Sequence, residues 1–238
     1  MLRQIRAVMF LPIAVLSYIL FGSVAIISSF ITGNGDFAHR LGRIWSRVLF
    51  SAAGARLTVS GLENIPRGRP VVFASNHASQ FDIPALYLAL NVQFRFLVKK
   101  ELFRIPLFGT AMLKAGYIPI DRSGGRAAVL SIRKAAEKIR SGTSVVVFPE
   151  GTRSVDGRLG PFKPGGMQLA IQAGCPIVPV AISGSYKVLP KGSLKVRPGS
   201  IKVAVGRSMD PGGTREEMIN KVWSAILDML DSDNRPIF

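Results

Sequence analysis

Cysteine and histidine are scarce in this sequence of 238 residues, which holds one cysteine, Cys175, and two histidines, His39 and His77. One cysteine excludes an internal disulfide framework and is typical of a reducing compartment. A usual zinc site takes four Cys or His ligands, and the chain has too few of them. We therefore expect no metal ion in this protein.

Acidic residues are also few, with 14 Asp and Glu against 31 Lys and Arg, so the formal net charge is +17. Such an excess predicts a negatively charged partner, which can be nucleic acid, an anionic membrane surface or a phosphorylated substrate. The hydrophobic fraction of 48% excludes intrinsic disorder. The length suits one α/β domain with an appendage.

The amino-terminal region lacks charge from Ala7 to Thr32. As a helix this run would extend about 39 Å at 1.5 Å per residue, which exceeds the roughly 30 Å hydrocarbon core of a bilayer. A signal peptide cleaved after Ala25 is the alternative, but the apolar pattern continues through Phe30, which favours a retained membrane segment. Positive charges on both sides leave open whether the helix spans the bilayer or dips into one leaflet.

A second helix is predicted from Asp36, as its N-cap, to Ala53, after a turn at Gly33-Asn34-Gly35. Its pattern is amphipathic and basic, which is typical of a helix at an anionic lipid surface, although ordinary surface helices share it. We expect residues 1–54 to form a membrane-anchoring two-helix segment. Its apolar face comprises Phe37, Leu41, Ile44, Trp45, Val48 and Leu49, and its polar face comprises His39, Arg40, Arg43 and Arg47.

Residues 55–238 alternate short β-branched runs with helical patterns, which predicts an α/β fold with a mainly parallel sheet flanked by helices. In such sheets the ligand site lies in the loops that follow the strands. The predicted strands are Leu57–Val59, Val71–Ser75, Phe94–Val98, Tyr117–Ile120, Ser144–Phe148, Ile177–Ile182, Leu194–Val196 and Ile201–Val205. The predicted helices are Pro84–Leu90, Pro106–Ala115, Arg126–Arg140, Gly165–Ala173 and Glu216–Leu230, the last with a capping box of Thr214 and Glu217.

The loop after the second predicted strand carries His77 and, five residues later, Asp82. A carboxylate bonded to one ring nitrogen fixes the tautomer of the imidazole. The other nitrogen can then accept a proton from a substrate hydroxyl. The simpler alternative is that Asp82 only caps the next helix while His77 bonds a backbone group.

A second loop, Pro149 to Ser154, combines glycine, hydroxyls and Arg153 next to Glu150. Glycine permits close backbone approach and the guanidinium fits phosphate oxygens, so this loop predicts an anion site beside a carboxylate. An exposed turn with a surface ion pair is the alternative. Arg122 directly follows another predicted strand and can reach the same crevice, or it pairs with Asp121.

Four segments of the chain resemble, in order, the four motifs of the glycerolipid acyltransferases, and most closely the bacterial lysophosphatidic acid acyltransferases. The resemblance covers residues 70–182, about half of the chain. The first and third segments together are highly specific. The four segments are His77–Asp82, Lys99–Arg122, Phe148–Ser154 and Val178–Ile182.

The resemblance implies that an acyl chain passes from acyl-CoA or acyl carrier protein to the sn-2 hydroxyl of 1-acyl-sn-glycerol 3-phosphate, giving phosphatidic acid. It implies direct transfer without an acyl-enzyme and without a cofactor. His77 would be the general base and Asp82 would orient it. By the same resemblance, Lys100, Arg122 and Arg153 would bind phosphate, Glu150 and Gly151 would contact glycerol, Thr152 would join the substrate site, and Asn76 and Ser79 would support the loop.

The implied lipid acceptor places the protein on the cytoplasmic face of the inner membrane, against an anionic surface, with no need for nucleic acid. Within enzymes, an acyltransferase for glycerol 3-phosphate or another lysolipid is the near alternative. A serine hydrolase using Ser79 would lack the Gly-x-Ser-x-Gly elbow, which the chain does not contain. A non-catalytic basic protein that binds membrane or nucleic acid is the alternative from another class.

Overall fold

The computed structural model describes residues 2–32, 35–121 and 123–237. These residues form a seven-stranded sheet flanked by helices. The strands are β1 (Arg56–Ser60), β2 (Val72–Ser75), β3 (Arg95–Lys99), β4 (Ile118–Ile120), β5 (Val145–Val147), β6 (Ile177–Ser183) and β7 (Ser200–Val205). The helices are α1 (Leu2–Thr32), α2 (Asp36–Ala53), α3 (Asp82–Ala89), α4 (Phe108–Lys114), α5 (Gly125–Arg140), α6 (Pro164–Ala173), α7 (Ser185–Val188) and α8 (Arg215–Met229).

The strand order is β1-β7-β6-β2-β5-β3-β4. Every neighbouring pair is parallel except β6 and β7, which are antiparallel. The predicted mainly parallel α/β fold is therefore confirmed. Because β2 lies at the centre, the loop that follows it opens at the middle of the carboxyl edge, next to the loop that follows β5.

Alternate residues of the central strands face two separate cores. Phe73 of β2 packs in a core with α1, α2 and α3, whereas Val72 and Ala74 pack in a second core with α5, α6 and α8. This alternation follows from the two-residue period of a strand. Strands covered on both faces are buried throughout, which explains why β2, β5 and β6 are apolar except for Ser75 and Ser183 at the ends of β2 and β6.

Most predicted elements are found with shifts of one or two residues at their ends, but Leu194–Val196 is not a strand. Val196 is buried there beneath an irregular loop, and the next residue, Arg197, donates its backbone N–H to Val188 O. The apolar pattern thus reflects one buried side chain rather than sheet pairing. The four-residue helix α7 was not predicted, because it is too short for a helical period to show. The capping box of Thr214 and Glu217 is confirmed.

Helix α1 contains the apolar window Val8–Ser28, which by length and composition alone is sufficient to cross a membrane. Most of that window is not buried in the protein. The helix packs along α2, where Trp45 Nε1 donates to Ser17 Oγ at 3.2 Å. Two residues of the predicted turn before α2, Gly33 and Asn34, lie outside the described residues.

Helix α2 begins one residue earlier than an N-cap at Asp36 predicts, so Gly35 and not Asp36 occupies the N-cap position. The Asp36 carboxylate instead accepts a hydrogen bond from Arg95 Nη2 at 2.7 Å. Gly35 lies so close to Ala115 that a Cβ would come within 2.6 Å of its carbonyl oxygen. The start of α2 therefore packs against the β3–β4 side of the sheet.

The predicted faces of α2 are wrong in two respects. His39 is 2% exposed and packs between the rings of Tyr87 and Phe94 rather than on a polar surface. Burial lowers the pKa of His39 to about 3, so the ring carries no charge at neutral pH. Leu41 and Leu49 are buried in the protein as well. Much of the apolar face that was predicted to contact lipid therefore packs against other residues of the protein.

Candidate active site

His77 follows β2, and its ring contacts the first residue of α3. His77 Nδ1 lies 2.7 Å from Asp82 Oδ2, with the Asp82 side chain fully buried and the His77 side chain 14% exposed. The same oxygen accepts the backbone N–H groups of Ala78 and Ser79 at 2.7 and 2.8 Å. Asp82 Oδ2 already accepts two backbone N–H groups, so it also acts as the acceptor toward the imidazole. His77 Nδ1 therefore donates, and Nε2 is left as the accepting nitrogen.

This geometry decides between the two interpretations of Asp82. The N-cap residue of α3 is Phe81, and no side chain caps the helix. Asp82 lies in the first helical turn, and its carboxylate points back to the loop and the ring. The Asp82 carboxylate therefore binds the imidazole and the loop backbone and does not cap α3, while the general-base role of His77 stays a prediction.

Phe148 lies directly after β5 and stacks on the ring of His77, with centroids 3.9 Å apart and planes 14° apart. Since β5 is the neighbour of β2 in the sheet, the two rings meet at the carboxyl edge. Phe148 fixes the plane of the imidazole, while Asp82 fixes its rotation. In the sequence Phe148 is the last residue of a predicted strand and the first of a motif, but no role was predicted for its ring. Its place at the end of a buried strand was the feature that could have indicated a site residue.

Glu150 binds the backbone of the His77 loop. Its Oε1 accepts the His77 N–H at 2.7 Å and its Oε2 accepts the Gly160 N–H at 3.2 Å. The side chain is buried, and this burial raises the pKa of Glu150 to about 7, although both backbone bonds lower it. On the other side, Ser154 donates its backbone N–H to His77 O at 2.7 Å. The loop after β5 thus holds the backbone of His77 at both its donor and its acceptor.

Asn76 and Ser79 hold the same loop from the β6 side. The Asn76 side chain exchanges two hydrogen bonds with the backbone of Ile182, at 2.9 and 2.7 Å. Ser79 Oγ donates to Leu189 O at 2.7 Å and accepts from the backbone N–H of Phe81. Both side chains are buried, so their contacts are with protein.

Lys100 follows β3, and its ammonium lies 2.5 Å from Asp121 Oδ2, just after β4. This cation, with the Ser123 hydroxyl and N–H, holds the pKa of Asp121 well below its usual range. The neighbouring Arg122 lies outside the described residues, so its predicted phosphate contact stays a prediction. The ion pair joins the ends of β3 and β4 at the carboxyl edge.

The loop after β5 carries Arg153, and two lysines, Lys163 and Lys191, contact the same loop. Gly151 has φ of +76°, and a Cβ there would lie 3.0 Å from Lys163 Cδ, so the lysine stem crosses the glycine. Thr152 is exposed, and Arg153 is half-buried. Arg153 O accepts a hydrogen bond from Lys191 Nζ at 2.7 Å.

Lys163 and Lys191 have no carboxylate within ion-pair distance in the part of the chain that the structure describes. Lys163 contacts this loop at Gly151 and Lys191 contacts it at Arg153 O, so the loop that carries Arg153 gathers positive charge that suits an anionic ligand. Lys191 was missed in the sequence, because it lies 38 residues from Arg153 along the chain. Lys163 follows the loop closely in sequence but was given no role. Among the described residues, no group of three His, Cys, Asp or Glu side chains suits a metal ion.

Comparison with other proteins identifies the family. The sequence model of the Acyltransferase family matches residues 56–183, which include the His77 loop, the Glu150 loop and β6. The chain belongs to the Acyltransferase family. The predicted resemblance is confirmed, and the acyltransferase fold places the matched loops at one edge of the sheet.

This acyltransferase is similar to several curated proteins. It is 34% identical over 197 residues to the chloroplastic 1-acyl-sn-glycerol-3-phosphate acyltransferase LPAT1 of Arabidopsis thaliana, covering 82% of this chain and 54% of that protein. It is 37% identical over 166 residues to the 1-acyl-sn-glycerol-3-phosphate acyltransferase of Pseudomonas aeruginosa, covering 68% and 62%. The chain spans about half the length of the plant relatives it matches.

A solved structure shares the whole architecture of this acyltransferase. The crystal structure of the 1-acyl-sn-glycerophosphate (LPA) acyltransferase PlsC from Thermotoga maritima matches with a TM-score of 0.80 and 28% sequence identity, and the match covers 94% of each chain. Because the match covers nearly all of both chains, it includes the amino-terminal helices as well as the sheet.

Proposed function

We propose that this family member transfers an acyl chain from a thioester to the sn-2 hydroxyl of 1-acyl-sn-glycerol 3-phosphate, giving phosphatidic acid. The observation that carries the proposal is the bond between His77 Nδ1 and buried Asp82, which leaves Nε2 as an acceptor. The names of the Pseudomonas and Arabidopsis relatives and of the Thermotoga protein support this acceptor.

In the proposed reaction His77 Nε2 takes the proton of the acceptor hydroxyl as the oxygen attacks the thioester carbonyl. The C–O bond forms, the C–S bond breaks, and the thiolate leaves with the proton returned by His77. Buried Asp82 stabilises the transient imidazolium by its negative charge. The acceptor oxygen is the nucleophile, so no side chain of the protein becomes acylated.

We assign the acceptor phosphate to the cations of the carboxyl edge. Arg153 lies in the loop that also holds His77 through Glu150 and Ser154, and Lys163 and Lys191 contact the same loop at Gly151 and at Arg153 O. Lys100, Arg122 and Thr152 extend this proposed binding region. Glu150 acts on the site through its two backbone bonds, while its predicted contact with glycerol, like that of Gly151, stays a prediction. Asn76 and Ser79 support the His77 loop by the bonds described above.

The proposed donor is acyl-CoA or acyl carrier protein. Both carry the acyl group as a thioester, and a net charge of +17 attracts the phosphates of the one and the acidic surface of the other. The same charge attracts anionic lipid. Nucleic acid is not needed to account for it.

We place residues 1–54 at the inner membrane, with the active site on the cytoplasmic face. Support comes from the exposed apolar side chains of α1, which include Leu16, Ile19 and Leu20. Deleting the segment is a poor test, because Phe10, Leu49 and Phe50 belong to the main core. Substituting Leu16 and Leu20 with Gln leaves that core intact and should weaken flotation with vesicles; unchanged flotation would place the anchor elsewhere.

The test of the function is a transfer assay that crosses two donors with several acceptors and identifies products by mass. Phosphatidic acid from 1-acyl-sn-glycerol 3-phosphate is the expected product. Preference for glycerol 3-phosphate or another lysolipid would show that this compound, and not 1-acyl-sn-glycerol 3-phosphate, is the acceptor. Fatty acid release without any acceptor would indicate a hydrolase. No transfer, together with nucleic-acid binding that falls steeply with salt, would indicate a non-catalytic basic protein.

A further inference from the structure

A second apolar surface lies between β3 and β4, away from the amino-terminal helices in sequence. A 3-10 helix, Lys100–Arg104, is followed by α4. Leu102, Ile105 and Leu113 are 39%, 46% and 54% exposed there. We call these three residues the α4 patch. Single exposed apolar side chains are ordinary on protein surfaces, but three within one short segment indicate a partner.

The α4 patch is held rigidly. Gly109 N donates to Ile105 O at 2.7 Å, and a Cβ on Gly109 would lie 2.0 Å from Phe103 O. The 3-10 helix and α4 therefore pack against each other as closely as backbones permit. The exposed side chains are presented by a fixed surface rather than by a loop that can turn them inward.

The α4 patch adjoins α1. The ring of Phe108, at the start of α4, lies 5.3 Å from the ring of Tyr18. One turn farther along α1, Gly22 faces Ala111, and a Cβ on Gly22 would lie 3.9 Å from the Ala111 Cβ. Helices α1 and α4 are therefore in direct contact, which places the α4 patch on an element that adjoins α1.

Positive charge accompanies the patch. Lys99, Arg104 and Lys114 lie beside its three apolar residues in sequence. Lys99 is 3.8 Å from Glu101, so the net positive charge of the segment comes from the other two, of which Arg104 is exposed. Apolar side chains bordered by cations are the pattern of surfaces that enter the headgroup boundary of anionic membranes. The contact of α4 with α1, the helix placed at the membrane, favours a bilayer over a protein partner.

We propose that the α4 patch is a second membrane contact, which inserts Leu102, Ile105 and Leu113 into the boundary of an anionic bilayer beside α1. The inference rests on the proposed membrane placement of α1. The patch begins next to Lys100, which is bonded to Asp121 at the carboxyl edge. Two contacts on one bilayer fix the tilt of the domain, whereas one helix leaves it free to rotate. The candidate active site is then held at headgroup depth.

The test places a fluorophore at single cysteines in the full chain with Cys175→Ala, bound to vesicles of phosphatidylcholine and phosphatidylglycerol. Labels at Ile105→Cys and Leu113→Cys should shift to shorter emission wavelength and be quenched by nitroxide lipids. Leu16→Cys on α1 is the positive control. Leu130→Cys on α5, also an exposed leucine but on the opposite side of the sheet, should stay in water.

Each other outcome overturns the proposal. If only Leu16→Cys is quenched, α1 anchors the protein and the α4 patch faces water. If none of the labels is quenched, the placement of α1 fails together with this inference. If the patch labels shift in wavelength without quenching by nitroxide lipids, protein covers them, and sedimentation would identify a second copy of the chain.

Discussion

The ring of Phe10, on α1, packs against the ring of Phe81, with centroids 5.7 Å apart. Phe81 lies between His77 and Asp82 in sequence and is almost fully buried. The ring of Phe50, on α2, contacts it as well, at 5.5 Å. The two amino-terminal helices therefore form part of the support of the candidate catalytic loop, in addition to any role in binding lipid.

Replacing Phe10 with Ala should reduce both stability and turnover. The lost packing should lower the free energy of unfolding by about 3 kcal/mol, the usual cost of a buried Phe→Ala change. A looser Phe81 should displace His77 and lower kcat. Phe37→Ala, at a position 38% exposed, is the matched control. Denaturant titration and initial rates in detergent measure both effects, and a fully active Phe10→Ala variant would show that α1 does not support the loop.

The pH dependence of stability should show the titration of Glu150. Its pKa is about 7 in the folded protein, against an ordinary value of 4.5. Between these values the folded protein keeps a proton that the unfolded chain has lost, so stability falls as pH rises from about 4.5 to about 7. At about 1.4 kcal/mol per pKa unit the decrease is about 3 kcal/mol.

Glu150→Gln removes this titration, so the stability of the protein relative to the variant should decline across the same pH window. Denaturant unfolding at several pH values measures the difference. The variant also places an amide NH2 where a backbone N–H now donates, so it should lower kcat by loosening His77. A difference in stability that stays constant with pH would show that Glu150 ionises in the folded protein as it does in the unfolded chain.

Arg153→Ala should raise the KM for the phosphorylated acceptor and leave the KM for the donor largely unchanged, because the guanidinium is assigned to the acceptor phosphate. Arg158 lies in the same loop but pairs with Asp156 at 3.4 Å, so Arg158→Ala is the matched control. Steady-state kinetics with each substrate varied in turn separate the two constants. Equal changes in both variants would assign Arg153 a structural role.

The sequence predicted the parts of the fold that depend on local pattern. Buried strands such as β2 and β6 are apolar up to a final serine, and the His77 loop follows one of them. Helical periodicity identified α2 but not which of its residues face the protein, so His39 was placed on the wrong face. That choice depends on Tyr87 and Phe94, which a pattern within α2 does not contain.

The supports of the site were harder to predict because they join distant residues. The bond from His77 N–H to Glu150 spans 73 positions, and the bond from Lys191 to Arg153 spans 38. Residue types alone indicated a base, a carboxylate and an anion loop. They gave no sign that Glu150 binds backbone amides or that Phe148 stacks on the imidazole. Those contacts depend on the order of the strands, which places β5 beside β2.

The central claim is that His77, oriented by Asp82, removes the proton from the acceptor hydroxyl. The most direct measurement is the rate of acyl transfer to 1-acyl-sn-glycerol 3-phosphate by the His77→Ala variant, with its melting temperature recorded in parallel. We predict a fall in kcat of at least about a hundredfold, the low end for loss of a general base, with little change in melting temperature. A folded His77→Ala variant that transfers acyl chains at the original rate would contradict the account.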